Sequence, residues 1–121
     1  MELNLFVTKL LKKHFLNECT TVGPTNLKDI VESTVNFKSP KFGSSLDLEN
    51  SIQILIVAST FIKIVVDLYI TIKKEKSRNP SKAEIKERLI IKEEINQRIE
   101  ISIQDEIIKS IIHELKEKGE D

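Results

Sequence analysis

A chain of 121 residues, 40% hydrophobic and 31% charged, is long enough to bury a core of its own and too apolar for a disordered segment. Nineteen Lys or Arg balance nineteen Asp or Glu, so no overall charge draws the chain to nucleic acid or anionic lipid. With no Trp and one Tyr, packing rests on branched aliphatics, and an aromatic cage or base-stacking platform has little to be built from.

In the first segment Leu3, Phe6, Val7, Leu10, Leu11 and Phe15 recur at three- and four-residue intervals, which predicts an amphipathic helix. The alternation of Leu3, Leu5 and Val7 allows a short strand at the extreme end instead. MELNLFVTKLLKKHFL is a poor secretory signal, because Glu2 stands where a basic region belongs and Lys9, Lys12 and Lys13 interrupt the apolar run. The lone Cys19 excludes an internal disulfide and fits a reducing compartment, so a cytoplasmic location is expected. Gly23-Pro24 marks a turn, and Leu27, Ile30, Val31 and Val35 describe a second, shorter helix. Together these form a helical N-terminal part over residues 1–36.

Residues 37–45, with Pro40 and Gly43, read as a loop. Ser44 with Asp47 three positions on resembles a capping box, so a helix is expected to start near Ser45. It runs into SIQILIVASTFIKIVVDLYITI, residues 51–72, which reads as a membrane span, a strand pair or a buried helix. A hairpin would have to turn at Ala58-Ser59-Thr60, which carries no Gly, Asn, Asp or Pro. As a span, thirteen Ile, Leu, Val or Phe residues contribute about −4 to −8 kcal/mol on an insertion scale. Lys63 and Asp67 return about 2.5 to 3.5 kcal/mol each, and the remaining polar residues bring the sum near zero. On a helical wheel Gln53, Thr60, Lys63, Asp67, Thr71 and Lys74 share one polar stripe and the rest is apolar. The stretch is therefore expected to be the central helix of a core, with residues 67–74 open to a strand alternative.

The tail KKEKSRNPS ends that helix at or before Asn79, since the residue preceding Pro80 disfavours the helical region. Ser81 to Arg88 suits a short helix. RIEISIQ, residues 98–104, alternates strictly and predicts a half-buried strand with Ile99, Ile101 and Ile103 on one face. RLIIKEEI, residues 88–95, is its expected antiparallel partner through a turn near Asn96-Gln97; the rival is one long helix over 81–118. Asp105 is the expected N-cap of a final helix carrying Ile107, Ile108, Ile111, Ile112 and Leu115, stopped by Gly119. Residues 73–98 hold nine cationic against five anionic side chains and residues 99–121 three against seven, so the two segments should attract. The expected fold is α+β in a single domain over 1–121, with residues 46–118 forming central helix, β-hairpin and closing helix; an all-α bundle is the alternative.

The glycines, Gly23, Gly43 and Gly119, make no phosphate-cradling loop, and Gly43-Ser44-Ser45 is a cap rather than a nucleophile elbow. His14, Cys19 and His113 lack metal-ligand spacing, so no catalytic residue, cofactor or metal is expected. KKEKSR with Lys82, Lys86 and Arg88 is interleaved with glutamates and has no aromatic neighbours, so nucleic acid is not expected. The candidate interaction edge is Gln53, Thr60, Lys63, Asp67 and Lys74. It suits a non-enzymatic protein-binding module that associates with a partner or with itself.

The order of elements over residues 46–118 resembles the effector-associated, constant-component type modules of bacterial conflict systems. In those an apolar helix precedes a basic segment, a β-hairpin and a final helix, here DEIIKSIIHEL. The resemblance implies a non-catalytic adaptor coupling an effector to a sensor in bacterial defence. An immunity or antitoxin-type inhibitor is the alternative within that class, and a small single-span membrane protein using residues 51–72 is the alternative outside it.

Overall fold

The computed structural model describes residues 2–36, 46–89 and 93–117, without the side chains of residues 46–48 and 94. Among the described residues there are six helices: α1 (Leu3–His14), α2 (Leu16–Val35), α3 (Leu46–Lys76), α4 (Lys82–Arg88), α5 (Glu93–Arg98) and α6 (Ile101–Glu117). None of these residues is in a strand, so the expected α+β class gives way to the all-α alternative. The contacts cluster into two compact units, Met1–Phe61 and Ile62–Asp121, with the boundary inside α3. The expected loop 37–45 and the stop at Gly119 lie outside the described residues.

In the first unit α1 forms as its spacing predicts. Glu2 caps it by accepting a hydrogen bond from the Asn4 backbone N–H at 3.2 Å, and Lys12, Lys13 and His14 occupy the last turn, where cations suit the helix dipole. Phe6, Val7, Leu10 and Leu11 are buried while Leu5 is 71% exposed, which removes the strand reading of the extreme end. The chain breaks at Phe15, whose buried ring anchors the turn. Helix α2 begins at once, and α1 packs against it.

The helical segment 16–22 goes beyond the sequence expectation. Its threonines are poor helix formers, yet Thr20 and Thr21 donate their hydroxyls to the carbonyls four residues back, and Cys19 and Val22 are buried with Phe15. Gly23 does break the helix, at φ 83° and ψ 164°, a region essentially reserved for glycine. Pro24 then starts the second half at a position where the missing N–H costs nothing. Leu27, Ile30 and Val31 are buried on it.

Helix α3 is continuous, so residues 67–74 are helix rather than strand. In the first unit it buries Ile52, Leu55, Ala58 and Phe61; in the second, Ile62, Val65, Val66, Tyr69 and Ile72. It ends at Lys76, with Ser77 in the left-handed region at φ 54° and Pro80 buried beyond. The Tyr69 hydroxyl donates to Asn79 Oδ1 at 2.9 Å and fixes this exit.

Helix α4 is the short helix expected after Pro80. Ser81 and Glu84 form a capping box: the Glu84 N–H donates to Ser81 Oγ at 3.2 Å and the Ser81 N–H to Glu84 Oε1 at 3.0 Å. The β-hairpin is replaced by α5 and α6. Its proposed turn, Asn96-Gln97, lies within α5, and residues 90–92 of the proposed first strand lie outside the described residues.

A strand would put Ile99, Ile101 and Ile103 on one face, but Ile99 is 1% exposed, Ile101 is 63% exposed and Ile103 is half-buried. The side chain that overrides the alternation is Gln104, buried at 2% exposure. Its Nε2 donates to the Ile99 carbonyl at 2.9 Å and to Asn96 Oδ1 at 3.0 Å, satisfying the backbone where α5 stops. The same break excludes a single helix over 81–118. Asp105 is therefore not an N-cap; it sits one turn inside α6, while Ile107, Ile108, Ile111 and Leu115 of the predicted stripe are buried and Ile112 is half-buried.

Candidate functional site

The expected edge on α3 is polar, and solvent reaches most of it. In the first unit Gln53 is exposed, and half-buried Thr60 spends its hydroxyl on the Ile56 carbonyl of its own helix at 2.9 Å. In the second unit Asp67 and Lys74 are exposed and Lys63 is half-buried.

The basic run after α3 meets acids of its own unit. Arg78 grips Glu84 with both terminal nitrogens, at 2.7 and 2.8 Å, and Lys76 reaches the same carboxylate at 3.2 Å. Arg88 binds Glu75 at 2.6 Å. Asp105 lies between Lys86 at 2.9 Å and Lys82 at 3.6 Å, so the predicted attraction between the two oppositely charged segments is realised between α4 and α6.

The electrostatics follow from these pairs. The Arg78 guanidinium, with the Ser81 N–H, holds the Glu84 carboxyl far below the usual carboxylate range. Arg88 lowers Glu75, and Lys86 lowers Asp105. Residues Lys76, Arg78, Lys82, Lys86 and Arg88 thus tie one end of α3 and α6 to α4, and their charge is answered within the unit.

One concave feature of the first unit has no counterpart in the sequence reading. Between α1 and α2 runs an open groove of about 490 Å³, lined by Leu5, Thr8 and Lys12 from α1 and by Leu27, Lys28 and Val31 from α2, with Glu2, Asn4, Pro24 and Glu32 also bordering it. Leu27 and Val31 are buried, whereas Leu5 stands exposed. Thr8 donates its hydroxyl to the Asn4 carbonyl at 2.7 Å, and Asn4 Oδ1 has neither solvent nor a hydrogen-bond partner. The sequence did carry one signal for this site. Leu5 is a large apolar residue left off the buried stripe of its own helix.

Among the described residues no group of three or more His, Cys, Asp or Glu is placed to hold a metal ion. Burial, then the neighbouring Glu18, raises the Cys19 thiol, which stays protonated at neutral pH, the opposite of an activated nucleophile. Burial likewise raises the Tyr69 hydroxyl, whose proton is committed to Asn79. No protein-family model, curated protein or solved structure matches the chain.

Proposed function

We propose that the chain is a non-enzymatic, cytoplasmic protein-interaction module, and that the α1–α2 groove receives a protein partner or a second copy of the chain. The observation carrying this reading is Leu5, 71% exposed on a groove whose floor includes buried Leu27 and Val31. Grooves between helices with apolar anchors at helical spacing suit an amphipathic helix. The narrower reading, an adaptor between effector and sensor, rests on the order of elements alone, and the β-hairpin in that order is helical here. An immunity or antitoxin-type inhibitor would differ from it by a tight complex with one cognate toxin.

A single-span reading has one observation in its favour: Glu49–Lys76 is long and apolar enough to cross a membrane. Against it stand the residues of α3 buried within each unit and the polar side that α3 presents to water. Expression without detergent, followed by affinity capture with wild type and Leu5→Glu, tests both readings. The expected result is a soluble wild type that retains a partner, or its own untagged copy, which the folded variant releases. Recovery only in the membrane fraction, or identical capture by both proteins, overturns the proposal.

A further inference from the structure

We draw no further inference here: the strongest candidate, the open groove between α1 and α2 flanked by Lys12, Lys28 and Glu32, belongs to the site already described, and nothing in the structure shows what covers it.

Discussion

The two units stop their helices by different means. In the first, the breaks at Phe15 and Gly23 rely on a buried ring and on a backbone conformation that only glycine reaches easily; no side chain caps the start of α2. In the second, two of the breaks are fastened by named polar groups: Tyr69 with Asn79 and Ser81 with Glu84 between α3 and α4, and Gln104 with Ile99 and Asn96 between α5 and α6. Apolar breaks leave a surface with little directional bonding, and there the groove with its exposed Leu5 is found. Ion pairs beside those clasps hold Lys76, Arg78, Lys82, Lys86 and Arg88 to carboxylates of the same unit.

The largest expected effects do not separate the units, and so set the baseline. Leu10→Ala in the first and Ile111→Ala in the second each remove a side chain at 1% exposure or less. Each should cost about 2–5 kcal/mol by denaturant unfolding, as for other buried Leu and Ile truncations. A much smaller loss at one site would show that its unit is loosely packed.

The breaks come next. A Cβ added at Gly23 meets nothing within 4 Å, so any cost of Gly23→Ala is a backbone cost, of the order of 1–3 kcal/mol. Gln104→Leu keeps the volume roughly constant but orphans the Ile99 carbonyl, at about 1–3 kcal/mol. Amide exchange should localise the second loss to α5 and the start of α6. Unchanged exchange there would refute the clasp.

Changing pH should reach the units differently: acid acts on ion pairs of the second, and alkali on buried groups of both, Cys19 in the first and Tyr69 in the second. Glu75, Glu84 and Asp105 have lowered folded-state values, so their contribution is present above the unfolded carboxylate range and is lost as pH falls through the folded values. Cys19 is raised, so its contribution is present at neutral pH and is lost as pH rises past the ordinary thiol value. Thermal midpoints followed from pH 7 downward should fall below about pH 4, and Glu84→Gln should flatten that fall. Following the midpoints upward, Cys19→Ala should flatten the first part of the alkaline arm, and the raised Tyr69 of the second unit should keep the rest. The smallest effect is a gain: Ser77→Gly relieves a left-handed residue and should add about 1 kcal/mol.

The helices with a single clear period were legible from sequence: the stripes of α1 and α6, the wide apolar face of α3 and the start of α4 all fell where spacing put them. What failed was the alternation in residues 98–104. Period-two spacing over so few residues does not reveal that a buried Gln can replace an Ile in the stripe and close a helix end with its amide. Helix 16–22 was hidden by threonines whose back-bonds to the main chain are invisible to propensity. The groove was hidden for another reason. It depends on how α1 packs against α2, and only the off-stripe Leu5 hinted at it.

The most direct test is the light-scattering mass of the purified 13.9 kDa chain and of Leu5→Glu, each alone and each mixed with whatever protein the wild type captures. The account predicts that the wild type forms a dimer or a defined heteromeric complex, while the variant keeps the same helical circular dichroism and runs as a monomer under both conditions. A wild type that remains a 13.9 kDa monomer and binds nothing, or a variant that assembles as the wild type does, would contradict it.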